Sequence, residues 1–277
     1  MSILNKLENT SELDRVITPA QKLVRRLGPG KLRDALHGVG LGHPLHPALV
    51  QVPLGAWLSA AALDLWGDDD RAARRLATLG LLGSLPAVAA GALDWAEQHE
   101  QQMRVGVVHA VANGTAIGLY GLSLATRAPR AGRAVRFAGL LTAGAGGLLG
   151  GRLSFRQAAG ANHAEPIPHL VEPGWHELGR LDAVPHGKPT RAMLDEVPLV
   201  VVRRGDEVTV LADRCSHLSG HLSDGELDED CLVCPWHGSA FRLSDGSVRH
   251  GPATAPQPAF ETENRSGTLW IRLPGAG

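Results

Sequence analysis

Two short segments near the C-terminus contain the residues best suited to chemistry. One is CSH at 215–217 and the other is CPWH at 234–237, with sixteen residues between His217 and Cys234. Cysteine thiolates and neutral imidazoles are common ligands of zinc and iron. Zinc ribbons more often use paired C-x-x-C units, so one cysteine and one histidine per segment favours iron, with zinc as the alternative.

The remaining cysteine, Cys231, lies three residues before Cys234. The segment EDCLVCPW is typical of a strand that enters a loop, so we interpret Cys231 as a small buried residue rather than a ligand. All three cysteines fall within 20 residues, which does not describe a disulfide framework for a chain of 277 residues. A reduced compartment or a metal site is the better explanation.

The surroundings of these segments resemble the Rieske family over about 174–275. DRCSHLSGHLSDGEL and CPWHGSAFRLSDGSV are spaced as in Rieske ferredoxins, and GPATAPQP resembles the proline-rich loop that covers the cluster. The resemblance implies one [2Fe–2S] cluster, with Cys215 and Cys234 on one iron and His217 and His237 on the other. Exposed edges of the two histidines are the expected exit for electrons.

Departures from other Rieske branches bear on the redox potential. Members in cytochrome bc complexes carry a disulfide between the cluster loops, and Gly220 and Trp236 occupy the matching positions here. Ser239 keeps one hydroxyl that bonds the cluster, whereas Phe241 replaces a tyrosine. We therefore expect a potential in the lower part of the Rieske range of about −150 to +300 mV. Trp236, Ser239 and Pro252 are the expected neighbours of the cluster.

The first half of the chain contains four apolar stretches of the length that crosses a bilayer, roughly 20 residues each. Charged segments such as DDDRAARR and RAPRAGR separate them. A soluble, alanine-rich bundle is the alternative, but these stretches are apolar all round rather than amphipathic. Small residues at Gly139, Ala143 and Gly147 suit close helix packing in membranes. The predicted spans are about 46–66, 76–95, 105–125 and 135–153.

The predicted fold is a multidomain chain with a four-span α-helical transmembrane bundle followed by an all-β Rieske domain. VPLVVV and EVTVLA, joined by RRGD, predict a hairpin, and AFETENRSGTLWIRLP predicts another. Basic residues beside leucines before the spans predict short helices that either lie on the membrane or cap the bundle. The predicted segments are an N-terminal segment at 1–42, the bundle at 43–155, a linker at 156–173 and the Rieske domain at 174–277.

Polar residues gather at one end of the predicted bundle, which is the Rieske side, whereas Asp64 stands alone at the other. The stretch LGHPLHPALVQVPLGAW resembles an uncharacterised family of four-helix membrane domains, over about 40–155, that is also found fused to Rieske domains. Polar residues within spans are costly and often functional. Capping of helix ends is the favoured interpretation, and a site for haem b or a quinone is the alternative. The candidate residues are His43, His46, Asp94, His109 and Asn113.

Together these features predict a membrane-anchored carrier of single electrons between a redox partner, such as a reductase, oxygenase or respiratory component, and a membrane or oxygenase acceptor. The alternative is a redox-sensing or gating membrane protein. Too few residues follow the cluster segments for an oxygenase iron site, so an electron-transfer protein of the oxidoreductase class is favoured over a self-contained enzyme. A net charge of −1 argues against nucleic acid as a partner. We expect a multi-pass inner-membrane protein with its Rieske domain in the cytoplasm.

Overall fold

The structure, a computed structural model, describes residues 3–66 and 69–275. The chain divides into two compact units. The first, the helical unit, comprises Met1–Gly28 and Pro44–Ala159, and the second, the β unit, comprises Pro29–His43 and Gly160–Gly277. The predicted N-terminal segment is therefore shared between both units.

The α-helices of the described residues are numbered along the chain. They are α1 (Ile3–Glu8), α2 (Asp14–Arg25), α3 (Lys31–His37), α4 (Leu45–Trp66), α5 (Asp70–Ala96), α6 (Glu100–Ala125), α7 (Pro129–Gly151) and α8 (Ile167–Leu170).

Helices α4 to α7 are long and apolar enough to cross a membrane, which confirms the four predicted spans. Many of their leucines, such as Leu82 and Leu141, face outward and are exposed, as expected where lipid replaces water. Helices α5 to α7 begin several residues before the predicted spans because the charged residues that precede each span are also helical. Asp69 caps α5, and its carboxylate accepts a hydrogen bond of 2.9 Å from the backbone N–H of Ala72.

An aromatic stack lies in the core of the helical unit. The rings of Trp57 and Tyr120 are nearly parallel, with centroids 4.3 Å apart. A Cβ added at Gly80 would come within 2.1 Å of the Trp57 ring, and one at Gly139 within 2.9 Å of the Tyr120 ring. These glycines are therefore required where two large rings meet neighbouring helix backbones.

Helices α1 and α2 pack on the helical unit through ion pairs. Arg104 of α6 donates to both carboxylate oxygens of Asp14, at 2.8 and 2.6 Å. Arg152 donates to the Glu8 carboxylate at 2.6 Å. The sequence allowed these helices either to lie on the membrane or to cap the bundle. Residues up to Gly28 pack with the bundle, as a helical cap does.

The β unit contains two antiparallel sheets with the orders β1-β10-β9-β4-β3-β2 and β5-β6-β7-β8. The two predicted hairpins are present as β3–β4 and β9–β10, which confirms the all-β class. The strands are β1 (His176–Arg180), β2 (Thr190–Leu194), β3 (Val197–Arg204), β4 (Glu207–Ala212), β5 (Glu226–Asp228), β6 (Cys231–Val233), β7 (Ala240–Arg242), β8 (Val248–His250), β9 (Ala259–Arg265) and β10 (Thr268–Arg272).

The predicted linker at 156–173 contributes to the core of the β unit. It contains α8, and Ile167 and Val171 are buried against the apolar side chains of the six-stranded sheet. A second core lies on the other side of β3 and β4 and contains Cys215, Cys234 and Phe241. This second core supports the segments that carry the predicted ligands.

Candidate metal centre

Loop 1, residues 215–220, follows β4 and turns back on itself. The backbone N–H of Cys215 donates to the Gly220 carbonyl at 2.8 Å, and the N–H of Ser219 donates to the Cys215 carbonyl at 2.8 Å. Ser219 has a φ of 63°, in the left-handed region. The turn holds Cys215 at its start and places His217 two residues later.

Loop 2, residues 234–239, joins β6 to β7 and uses the same two hydrogen bonds. The N–H of Cys234 donates to the Ser239 carbonyl at 2.8 Å, and the N–H of Gly238 donates to the Cys234 carbonyl at 3.1 Å. Gly238 matches Ser219 and has a φ of 75°. The chain therefore builds one turn twice, and each copy presents a cysteine followed by a histidine.

The two loops bring their cysteines together and their histidines together. A hydrogen bond links the thiols of Cys215 and Cys234, and it lowers the pKa of Cys234 to about 7, with backbone N–H groups of Trp236 and His237 acting in the same direction. The same bond, together with burial, raises the pKa of Cys215. The rings of His217 and His237 meet edge to face with centroids 5.1 Å apart.

Exposure differs between the two histidines. His217 is buried, with 8% of its surface exposed, so the expectation that both ring edges face solvent is wrong for this residue. His237 is half-buried, and Trp236 beside it is 50% exposed. Because both loops form the same turn, the difference comes from what surrounds each loop in space.

Gly220 and Trp236, the positions that match the disulfide of other Rieske branches, face each other. A Cβ added at Gly220 would lie 2.9 Å from the Trp236 ring and 3.2 Å from the Cys234 sulfur. The indole therefore packs over the glycine where the disulfide lies in those relatives. The cysteines of the chain are all free thiols.

Asp213 organises loop 1, and sequence reasoning did not find it. Its carboxylate is fully buried and accepts a hydrogen bond of 2.6 Å from the backbone N–H of Ser223. It also lies 3.0 Å from Nδ1 of His221. These bonds join Asp213, two residues before loop 1, to the chain directly after the loop. A polar residue directly after the apolar strand EVTVLA is the signal that could have identified it.

The proline-rich segment 251–258 is tied to both loops. The hydroxyl of Ser239 in loop 2 accepts a hydrogen bond of 2.9 Å from the backbone N–H of Ala253. The hydroxyl of Ser216 in loop 1 donates to the Ala255 carbonyl at 2.7 Å. Pro252 is buried directly before the first of these attachments. Of the predicted neighbours of the cluster, Ser239 thus takes part directly in holding this segment against loop 2.

Helix α3 holds the same segment at its first residue, Gly251. The carboxylate of Asp34 accepts a hydrogen bond of 3.0 Å from the backbone N–H of Gly251, and it lies 2.9 Å from Nδ1 of His250. A Cβ at Gly251 would come within 3.1 Å of Val39. This contact has no local signal in the sequence, because 216 positions separate Asp34 from His250.

Cys231 is a residue of strand β6 and is buried in the sheet. Burial raises the pKa of its thiol to about 11, and a hydrogen bond to Asp230 acts in the same direction. The thiol of Cys231 is therefore neutral at physiological pH.

The residues of the two loops fit a [2Fe–2S] cluster. Each loop contributes one thiol and one imidazole, so two buried thiols lie together and two imidazoles lie together. This arrangement matches a cluster that takes sulfur ligands at one iron and nitrogen ligands at the other. Backbone N–H groups directed at Cys234 would stabilise its thiolate.

Of the candidate residues at the membrane, His46, His109 and Asn113 lie together. The rings of His46 and His109 have centroids 6.3 Å apart. The Asn113 amide donates to the His109 carbonyl at 2.9 Å. Asp94 lies at the C-terminal end of α5, where its carbonyl accepts a hydrogen bond from Gln98, and His43 belongs to the β unit.

Asp64, which the sequence analysis places at the opposite end of the bundle from the histidines, is bound in an ion pair. Arg136 of α7 donates to both of its carboxylate oxygens at 2.7 Å, and both side chains are 1% exposed. Arg136 also donates to Asp70 at 2.8 Å. Arg136 lies within the fourth predicted span, at about 135–153, and in the structure it belongs to α7, which begins at Pro129.

Family models match both halves of the chain. Residues 42–163 match a family described as "Predicted membrane protein (DUF2231)", and residues 174–261 match the Rieske [2Fe–2S] domain. The fold and site thus define a Rieske domain fused to a helical membrane domain, as the sequence resemblance predicts.

Curated relatives are ferredoxins of oxygenase systems. The anthranilate 1,2-dioxygenase ferredoxin subunit of Burkholderia cepacia is 33% identical over 99 residues, which cover 36% of this chain and 92% of the relative. Ferredoxin CarAc of Metapseudomonas resinovorans is 39% identical over 74 residues, 27% of this chain and 69% of the relative. The chain belongs to the Rieske [2Fe–2S] ferredoxin family and carries one such cluster.

A solved complex of reduced oxygenase and oxidised ferredoxin in carbazole 1,9a-dioxygenase is also similar. The identity is 32%, the TM-score is 0.33, and the match covers 35% of this chain and 92% of that chain.

Proposed function

We propose that this protein is a membrane-anchored electron carrier whose cluster is held by Cys215, His217, Cys234 and His237. The observation that carries the proposal is the repeated turn of loops 1 and 2, which pairs the two thiols and the two imidazoles. When bound, the cluster supplies reversible one-electron oxidation and reduction.

The protein surroundings are suited to that role. The two loops are fixed by backbone hydrogen bonds, by Asp213 and by the proline-rich segment, so ligand positions change little between oxidation states. His237 is the more exposed histidine and provides the shorter route to a docked partner. Its neighbour Trp236 adds an aromatic surface of the kind enriched at protein interfaces.

The proposed partners follow from the relatives and from the helical unit. The relatives are ferredoxin subunits of dioxygenases, so the electron donor is proposed to be a reductase and the acceptor an oxygenase or a membrane component. The four apolar helices support a multi-pass anchor in the cell inner membrane. We propose that the Rieske domain faces the cytoplasm, where clusters are assembled.

The ligand assignment is tested by spectroscopy on detergent-purified full-length protein. Optical and EPR spectra of the reduced wild type are expected to show a Rieske signal, which Cys234→Ser and His237→Ala abolish. Cys231→Ser is the matched control because that thiol is buried, neutral and outside both loops. A full Rieske signal in Cys234→Ser would refute the ligand set.

The carrier role is tested by adding NADH and a flavoprotein reductase from a related dioxygenase system, without oxygen. The EPR signal of the reduced cluster is expected to grow in the wild type, and Trp236→Ala is expected to slow its growth. A cluster that dithionite reduces but no reductase can reach would contradict the role as a carrier from such enzymes. A fluorescent protein fused to the C-terminus reports the orientation, since fluorescence is expected only on the cytoplasmic side.

A further inference from the structure

A second set of histidines lies in the helical unit, outside the cluster loops. His46 is near the start of α4 and His109 is inside α6, so they come from separate helices. Their rings are 6.3 Å apart between centroids, with planes at 78°. Both side chains are half-buried. Metal and cofactor sites of helical bundles are commonly built from such side chains on different helices.

Hydrogen bonds orient both rings and place a proton on Nδ1 of each. Nδ1 of His46 lies 2.8 Å from the Ala87 carbonyl, and Nδ1 of His109 lies 2.8 Å from the Gly146 carbonyl. A carbonyl oxygen can only accept, so each Nδ1 carries a proton, and in the neutral imidazole Nε2 then carries the lone pair that a metal needs. Histidines that bind metals usually donate their second nitrogen to a backbone carbonyl in this way.

The distance between the rings matches one metal ion held between two imidazoles. Two metal–nitrogen bonds of about 2 Å each, extended on both sides from nitrogen to ring centre, give a centroid separation of roughly 6 Å. The observed separation of 6.3 Å agrees. Glycines set the ring positions, because a Cβ at Gly91 would lie 2.6 Å from the His46 ring and one at Gly150 would lie 3.2 Å from the His109 ring.

The kind of metal centre follows from the number of ligands. Within residues 3–66 and 69–275, no group of three or more histidine, cysteine or carboxylate side chains is placed to hold a single ion. A bare ion between His46 and His109 would have only two such ligands. Haem iron needs no more than two, because its macrocycle supplies four nitrogen ligands and the protein supplies the axial ones.

We propose that His46 and His109 are the axial ligands of a b-type haem in the helical unit. The haem iron accepts one electron as it passes from the ferric to the ferrous state, and one-electron oxidation of a reduced Rieske cluster releases one. The chain would then contain two one-electron centres. The amide nitrogen of the nearby Asn113 lies 3.3 and 3.4 Å from the two nitrogens of the His109 ring and holds that ring in position.

The experiment is a haem assay on the full chain, produced with added haem precursor and purified in detergent. The wild type is expected to hold about one haem per chain, with the low-spin spectrum of two axial histidines. His46→Gln and His109→Gln keep a donor for the backbone carbonyls but remove the imidazole, and each is expected to lose at least about nine-tenths of the haem or its low-spin spectrum. His169→Ala changes an exposed histidine of the β unit and is the control.

The Rieske EPR signal separates this proposal from the previous one. It is expected to be unchanged in both glutamine variants, which shows that their β unit folds, and an unchanged helical circular dichroism spectrum is expected to show the same for the helical unit. Reductive titration is expected to consume one electron fewer per chain in these variants than in the wild type. The proposal is overturned if wild-type protein with an intact cluster neither contains haem nor binds added haemin, or if haem remains low-spin and fully bound after both substitutions.

Discussion

The helical unit and the β unit both bury polar side chains, but they provide different partners for them. In the β unit, Asp213 accepts from a backbone N–H, and Gln257 donates to the carbonyls of Ala212 and Arg214. In the helical unit, Asp64 is bound by the side chain of Arg136. Loops leave backbone groups free to bond side chains, whereas a helix uses its own backbone groups internally.

Helix ends and helix carbonyls account for the exceptions. Arg74 donates to carbonyls at the C-terminal end of α6, including those of Ser123 and Thr126, where the helix leaves its last carbonyls unpaired. Away from such positions, a buried charge in the helical unit depends on another charge. Loss of one partner should therefore cost more there than in the β unit.

The largest effect on stability is expected for Asp64→Ala. It leaves Arg136 buried with only Asp70 as a carboxylate partner, and breaking a buried pair costs about 3 to 5 kcal/mol. The free energy of unfolding by SDS in detergent micelles measures the effect. Asp182→Ala breaks a pair with Arg180 that is largely exposed, and it should cost far less. Equal costs for the two variants would contradict the comparison.

Asp213→Asn tests the corresponding position in the β unit. The amide keeps one acceptor for Ser223 but loses the charge near His221, so we expect a cost of roughly 1 to 3 kcal/mol and faster loss of the cluster. Decay of the visible cluster absorbance during incubation at elevated temperature is the measurement. Asp228→Asn, at an exposed position of β5, is the control and should leave the decay rate unchanged.

Phe241→Tyr sharpens the account of the redox potential. Phe241 is fully buried in the core that contains both loop cysteines, and a hydroxyl there that bonds a cysteine sulfur would stabilise the reduced cluster. A hydrogen bond of about 0.5 to 1.5 kcal/mol corresponds to a rise of roughly 20 to 65 mV for one electron. Protein-film voltammetry measures the midpoint. Phe260→Tyr, in the other core, should not shift it.

The smallest effect is expected from pH at Asp14. Its hydrogen bond with Arg104 lowers the pKa of the Asp14 carboxyl in the folded protein. The bond therefore stabilises the fold above the unfolded pKa of about 3.9, and this contribution is lost as pH falls through the lowered folded value. Thermal unfolding followed by helical circular dichroism should show a weaker decline in acid for Asp14→Asn than for the wild type. An identical decline would mean that other carboxyls dominate.

The sequence predicts the elements and the four proposed cluster ligands, because these depend on local patterns. Apolar length specifies α4 to α7, and the segments at 215–217 and 234–237 carry their spacing within a few residues. The ends of the helices were less predictable, since charged residues can continue a helix beyond the apolar part, as at Asp70.

Contacts between distant positions were not predictable from patterns. Nothing near Asp34 indicates that it binds Gly251, and nothing near Asp64 indicates Arg136. The burial of His217 has the same origin, because exposure depends on what surrounds a loop in space. Such properties require the tertiary structure.

The β unit is assembled from two separate parts of the chain, and this has a consequence for biosynthesis. Residues 29–43 leave the ribosome before the four long helices, and 160–277 follow after them. The bond from Asp34 to Gly251 can therefore form only after all four helices have been synthesised. The proline-rich segment is therefore clamped only late in synthesis, and a fragment that begins at residue 160 would lack that clamp.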